Sequence, residues 1–536
     1  MAALERALSA LGPFGLYQRY NLVLLCLPNL LAAMYSLNYV FVADQVPFRC
    51  VVPECEAVSE ASYSDNVTSW LPAGQCSRPA PLPDLPPSAD FCSELNYHPN
   101  DTVACEHVVY ENLDTTYSEF DLGCRGWLRT LVGTVRNAAL PLALLLTGYV
   151  SDGYGRRTAF CIMSGCAGAL GVIKSFSVSY PMYLAVEFFE AALGYGFNSA
   201  GYVMMVELAR PSQRAYFACS TGIAYGLGGV LFAWIAWRVP AWRSLLRVIH
   251  VPALLLPLYW LLIDESARWM HAKGDAEGTA RVIRKAARWN KVQVDEELMK
   301  ELAKESETAK EEAESEGSAW LSLVKSRVLM WRMTACSWCW ICTTFVYYGL
   351  TINSVSLSGN KYTNFALNMG MEIVASLILM MSLEKFGRKR SIFAAFLLCG
   401  VACVIPYFVA HTRAGFGLFF VGKLAITFAF NSVYVYTSEL FPTRVRSSAL
   451  AACSLVGRLG SVLAPQTQLL GLYVQALLYG GGSLSAALLV LLIPETRRAA
   501  LPTSLRGAED MRRRQRTPTP PPPPVAVRQN TVESET

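Results

Sequence analysis

The chain has 536 residues, of which 53% are hydrophobic and 16% charged, with a net charge of +5 and a mean hydropathy of +0.31. So much apolar material over such a length excludes an ordinary soluble globular protein and predicts a chain embedded in a lipid bilayer. No nucleic-acid partner is expected, and no cofactor.

In chain order, residues 1–19 carry Arg6 and Arg19 and lack the n-region, apolar core and small-residue cleavage pattern of a secretory signal. They are expected to stay on the chain as a cytoplasmic amino terminus. A hydrocarbon slab about 30 Å thick needs roughly 20 apolar residues per helical crossing. Twelve such stretches begin near Tyr20, Trp127, Thr158, Tyr180, Tyr216, Ser244, Arg332, Tyr362, Ser391, Gly415, Ser447 and Tyr473. The fifth and eleventh are the weakest, because of the glycines of AYGLGGV and because of Arg458 and Pro465. The predicted fold class is therefore an all-α membrane protein with twelve transmembrane helices in two pseudo-symmetric halves, 20–263 and 332–493.

Between the first and second spans lies a polar insertion, 44–126, with Cys50, Cys55, Cys76, Cys92, Cys105 and Cys124 and glycosylation sequons at Asn66 and Asn100. Both chemistries belong to the extracellular side. Six cysteines allow fifteen pairings, and the spacing does not choose among them. The other ten cysteines lie in or beside apolar spans and read as small hydrophobes. Fourteen acidic residues against three basic ones in this insertion read chiefly as solvation of a cap, with attraction of cations as the functional alternative.

A charged turn follows the second span, GYVSDGYGRR, with Asp152, Gly155, Arg156 and Arg157, and it recurs 232 residues later as EKFGRKR, with Glu384, Gly387 and Arg388. An acid, a tight glycine turn and a basic cluster in both halves mark an internal duplication, which is how many transporters are built. These residues, with Glu439 near the end of the tenth span, are candidate gating residues, and Asp152 accepting from Arg156 is expected to hold one face closed. In the second copy Met380 replaces Gly148 and Glu384 replaces Asp152, which predicts a weaker lock there. Arginines at these turns, and at 210, 214, 444, 446, 497 and 498, put both termini inside by the positive-inside rule.

Two further segments complete the chain. The charged insertion 264–331 places Ala280, Ile283 and Ala287 at helical spacing and continues as a solvated helix or tether. The tail 494–536 is basic and then proline-rich, which predicts a disordered segment, with adaptor binding as an alternative.

Ionisable groups inside spans are costly and generally face a wet cavity. Glu372 and Arg458 are the leading candidates for contact with a substrate, and Trp340 and Tyr347, seven residues apart, offer aromatic faces to an ammonium group. Glu187 is a candidate for a coupling proton or sodium ion, with pairing to Arg136 as the alternative. Lys423 is read as snorkelling from a span end. The five histidines show no metal spacing, and no nucleophile or ATP-binding motif is present, so no enzyme is expected.

The six-cysteine loop, the GxxxDxxGRR turn, DESARWM at Asp264 to Met270, YYGL at Tyr347 to Leu350, GKLAITFAFNSVYVYTSELFPTRVRS from Gly422 to Ser447 and IPET at Ile493 to Thr496 together resemble the major facilitator superfamily. Within it, the resemblance is to the organic cation, anion and carnitine (zwitterion) transporter family. It covers essentially the whole chain. It implies a plasma-membrane carrier working by alternating access. It also implies that Glu372 belongs to a cavity-lining VEIP-like segment, here with Val374 for proline. Arg458 stands where cation carriers have aspartate and where anion and carnitine carriers have arginine. The expected substrate is a small organic cation or a carnitine-like zwitterion, the alternative an organic anion. A sugar is disfavoured by the cysteine loop and YYGL. From another class, the chain could be a transport-incompetent receptor or scaffold, although such a protein has little reason to retain Glu372 and Arg458.

Overall fold

The computed structural model describes residues 2–12, 14–57, 61–64, 76–82, 93–209, 213–313, 325–407, 412–442, 445–496 and 508–509. Twelve long helical rods dominate these residues. We label them α1 (Leu16–Val42), α2 (Gly126–Tyr154), α3 (Arg156–Lys174), α4 (Tyr180–Gly194 continued by Gly196–Leu208), α5 (Arg214–Arg238), α6 (Trp242–Leu262), α7 (Arg327–Asn353), α8 (Lys361–Phe386), α9 (Arg388–Val404), α10 (Thr412–Leu440), α11 (Arg446–Leu463) and α12 (Leu472–Leu492). Eight are long and apolar enough to cross a membrane by length and composition. The other four, α3, α4, α7 and α9, fall short for visible reasons. Helix α3 carries Arg156, Arg157 and Lys174, α4 is interrupted at Tyr195, α7 is rich in polar residues, and α9 has 17 residues.

The two spans that were weakest in the sequence owe their glycines to close helix packing. A β-carbon on Gly222, Gly226 or Gly229 of α5 would collide with Ser376, Ile373 or Met369 of α8, in the opposite half. On α11, one on Gly457 or Gly460 would collide with Trp340 or with the Ile341 carbonyl of α7. Small residues let such helices approach, and dispersion between close backbones is what holds helices together in lipid.

The insertion after α1 folds onto one end of the bundle, the loop end. Strand β1 (Phe48–Cys50) pairs antiparallel with β4 (Val108–Tyr110), and β2 (Ser77–Pro81) with β3 (Tyr97–Ala104). Disulfides join Cys50 to Cys105 and Cys76 to Cys124, and Cys55 is also disulfide-bonded. Asn100 is exposed on β3, whereas Asn66 and Cys92 lie outside the described residues. The ten remaining cysteines are free thiols, buried or half-buried.

At the opposite end, the turn end, helices Ala267–Ala272, Ala276–Asn290 and Glu296–Ala313 form a small unit. Ile283 and Ala287 are buried with Ala280 packed beside them, as their spacing predicts, against Leu4, Ala7 and Leu8 of the amino-terminal helix Ala2–Ala10. Pro494 and Glu495, at the start of the expected tail, are bonded to Tyr436 and to the Arg388 backbone of the C-terminal half.

Polar ties between the halves gather at the loop end. Lys361 of α8 pairs with Asp44 at 2.6 Å. Gln466, in the 3-10 turn Ala464–Leu469 after α11, bonds Thr130 and Thr134 of α2 at 3.1 and 2.8 Å, and Thr134 donates to the Val462 carbonyl.

Candidate functional site

The duplicated turns build the same device twice. Gly155 at φ 103° and Gly387 at φ 90° reverse the chain between two helices in a conformation that residues with a β-carbon resist. In each half the next helix opens with unsatisfied backbone N–H groups, and a distant carboxylate caps them. Glu265 accepts from the backbone of Arg156 and Arg157, and Glu495 from that of Arg388 and Lys389. The first arginine of each helix then reaches a glutamate on a third helix. Arg156 lies 3.2 Å from Glu207, and Arg388 lies 3.2 Å from Glu439.

Glu439, near the end of α10, is thus the partner of Arg388. Asp152 does pair with Arg156, at 2.9 Å, but its side chain is 76% exposed, and the better-sheltered partner is Glu207. All of these bonds stay within one half, so the turns lock the helices of a half to one another. Arg157 adds a cation–π contact over Trp260 at 4.0 Å. The side chain of Glu384 lies outside the described residues.

In the N-terminal half, the middle of the bundle holds a buried ion cluster. Arg136 of α2 bonds Glu187 at 2.6 Å and Glu190 at 3.2 Å, and Lys174, at the end of α3, bonds both carboxylates as well. Two cations face two anions, which offsets the large cost of burying any one of them alone. Glu187 therefore has both oxygens engaged, as the Arg136 alternative proposed, with Lys174 as an unforeseen second cation. His250 of α6 completes the group, with Nε2 3.4 Å from Glu190.

The C-terminal half differs. Glu372 of α8 pairs with Lys423 of α10 at 2.9 Å and also accepts from Thr427. Lys423 is fully buried, donates to Thr351 at 2.8 Å and sits 3.5 Å over the Tyr347 ring. The snorkelling expectation fails because α10 starts at Thr412, which puts Lys423 roughly 16 Å along it. The second face of Tyr347 stacks on Phe430 at 5.1 Å. Trp340 donates to Thr437 and meets Tyr434 edge-on at 4.3 Å. Both aromatic candidates are thus already in contact on the faces expected to receive an ammonium group.

Arg458 of α11 is buried, and among the described residues its Nε and Nη1 have no hydrogen-bond partner. Around it stand the phenols of Tyr348 and Tyr434 from its own half and Tyr195 from the other, with the guanidinium 5.7 Å from the Tyr195 ring. Tyr195 occupies the interruption in α4, where glycines on either side leave little local bulk. Among the described residues no carboxylate is bonded to this guanidinium, so their charges at the centre of the bundle leave one positive charge beyond the internal pairs. The sequence picked out Arg458, Glu372 and Glu187 from the cost of burying charge. It missed Lys174 and the three tyrosines and misplaced Lys423, whose roles depend on partners from other helices.

Comparison with known proteins agrees with this architecture. A family model described as Sugar (and other) transporter matches residues 105–500. The organic cation transporter protein of Drosophila melanogaster is 29% identical over 524 residues, with 94% of each chain covered. Solute carrier family 22 member 3 of Rattus norvegicus is 26% identical, covering 95% of this chain and 96% of its own. Among solved structures, the proton:xylose symporter XylE bound to 6-bromo-6-deoxy-D-glucose matches with a TM-score of 0.60 at 16% identity, covering 90% of this chain and 98% of that one. The inward-open form of XylE from E. coli gives 0.56 at 15% identity, covering 90% and 96%. At that identity the likeness is one of fold.

Proposed function

Because the chain belongs to the Sugar (and other) transporter family, within the major facilitator superfamily, we propose that it is a secondary carrier whose central pocket takes small organic solutes bearing a carboxylate or sulfonate. The family is one of membrane transporters, not enzymes. The observation that carries the substrate reading is the lone guanidinium of Arg458, with two nitrogens left without hydrogen-bond partners among described residues and three phenols around it. A planar fork of N–H donors suits a two-oxygen anion. The ion pairs on either side are internally balanced, so an incoming anion is what neutralises the centre.

Carnitine-like zwitterions remain within this reading through their carboxylate. The relatives named as organic cation transporters direct attention to cations, but a permanent cation with no anionic end meets Arg458 as a like charge. With Glu372 held by Lys423, the described residues offer no spare carboxylate at the centre to receive it. Alternating access is supported by the duplicated halves and by polar ties that gather at one end of the bundle. The reading takes both termini to the cytoplasmic side of the plasma membrane, since the disulfides and Asn100 share the loop end and the arginine-rich turns the other.

Radiotracer uptake into expressing cells, with and without sodium, tests this directly. A labelled aromatic carboxylate and carnitine should enter well above the mock-transfected level and tetraethylammonium should not, and Arg458→Asp should abolish the first two at normal surface expression. Preferential uptake of tetraethylammonium by the wild type, unaffected by that substitution, would overturn the anion reading.

A further inference from the structure

His250 is fully buried, and one hydrogen bond fixes which ring nitrogen carries the hydrogen of the neutral form. Nδ1 lies 2.9 Å from the Leu246 carbonyl, an oxygen that only accepts, so Nδ1 carries a hydrogen. The other nitrogen, Nε2, has no hydrogen-bond partner among the described residues and faces Glu190 Oε1 at 3.4 Å. In a neutral imidazole this sets a lone pair against a carboxylate oxygen. One proton between them turns that contact into a charge-assisted hydrogen bond.

The surroundings are complete on every side. Helix α1 contributes Tyr35, stacked on the imidazole at 4.8 Å, and Tyr39 near Arg136; α2 contributes Arg136, α3 Lys174, and α4 Tyr183, Glu187 and Glu190. With Arg136 and Lys174 balancing the two glutamates, a proton on the His250–Glu190 pair gives the cluster a net charge of +1.

That charge would communicate with the centre. One narrow cavity is lined by Tyr35, Arg136, Glu190, Tyr195 and Asn198, and the Tyr195 ring lies 5.7 Å from the Arg458 guanidinium. We propose that His250 and Glu190 form a proton-binding site, and that one proton held there accompanies each substrate anion held at Arg458. The inference rests on the anion reading of Arg458. A positive charge on the cluster and the positive charge of Arg458 repel, and an anion held near both is attracted by both. Proton and anion therefore tighten each other's binding by the same factor, and a monoanion crosses with a proton as an electroneutral pair.

The test uses purified protein in liposomes that enclose a pH-sensitive dye, with an aromatic sulfonate as the probe because its acidity prevents passage as a neutral acid. An inward sulfonate gradient should acidify the lumen in the wild type. His250→Gln should keep sulfonate counterflow but lose the acidification, and its KM at pH 5.5 should stay at the wild-type value for pH 7.5. Glu190→Gln, which mimics the charge of the protonated cluster, should show at pH 7.5 the low KM of the wild type at pH 5.5, about fivefold or more below its alkaline value. Sulfonate uptake by the wild type without acidification overturns the proposal and leaves the anion reading intact, and needs no variant to fold. Acidification that persists in His250→Gln overturns it too. Absence of any anion counterflow in the wild type removes the anion reading and this proposal together.

Discussion

The two halves share a frame and differ in their cores. At the turn end, Gly155, Arg156, Glu207 and Glu265 correspond one for one to Gly387, Arg388, Glu439 and Glu495, with the same capped helix and the same 3.2 Å arginine–glutamate bond. In the bundle middle the N-terminal half closes its charges into a balanced cluster of Arg136, Lys174, Glu187 and Glu190. The C-terminal half balances Glu372 with Lys423 and then adds Arg458, to which no carboxylate among the described residues is bonded. Duplication has preserved what holds helices together, and divergence has fallen on the charges that face the centre. Stability and substrate recognition are thereby assigned to different residues.

The largest expected effect breaks a balanced site. Lys423→Met strands Glu372 in a buried setting and should cost about 3–5 kcal/mol, read as a lowered Tm in detergent, while Lys423→Met combined with Glu372→Gln should recover most of the loss. If the double variant is no better than the single, Glu372 and Lys423 are not a mutually dependent pair. Arg458→Met should behave in the opposite way, holding or raising Tm while uptake of the carboxylate is lost, because it removes an uncompensated charge. A Tm loss as large as that of Lys423→Met would mean that Arg458 serves the fold instead.

Smaller effects sharpen the comparison of the turns. Gly155→Ala should cost roughly 1–2 kcal/mol from the left-handed backbone alone, and its β-carbon also displaces the Glu265 carboxylate. Glu265→Gln and Glu495→Gln should each lower stability by about 1 kcal/mol through the lost helix cap. Near-equal shifts in Tm would uphold the equivalence of the two turns, and a loss confined to one would end it. Asp152→Asn should be the mildest, under about 1 kcal/mol for an exposed pair, and smaller than Glu207→Gln in both Tm and turnover.

How much of this could be read from the chain follows from the range of the interactions. Hydropathy runs located the rods, and a repeated local string located both turns, because those signals lie within twenty or so consecutive residues. Helix ends were less legible. Lys423, read as lying near a span end, sits roughly 16 Å inside α10, which runs from Thr412. The partners of Glu187 and Glu372 come from helices 13 and 51 residues distant, Lys174 and Lys423, and nothing in the intervening sequence marks them. Glycines that weakened the fifth span as a helix proved to be the contact surface on which α8 packs, and glycines of the eleventh serve α7 in the same way. Tyr195 gave no sequence signal, since its position depends on an interruption in α4 that only packing reveals.

Equilibrium binding of a labelled aromatic carboxylate to purified protein, wild type against Arg458→Met, addresses the division of labour most directly. The account predicts a loss of at least tenfold in affinity, as expected for a buried charge-assisted bond of about 1.5–3 kcal/mol, with thermal stability unchanged or higher. Equal affinity in the two proteins would contradict it.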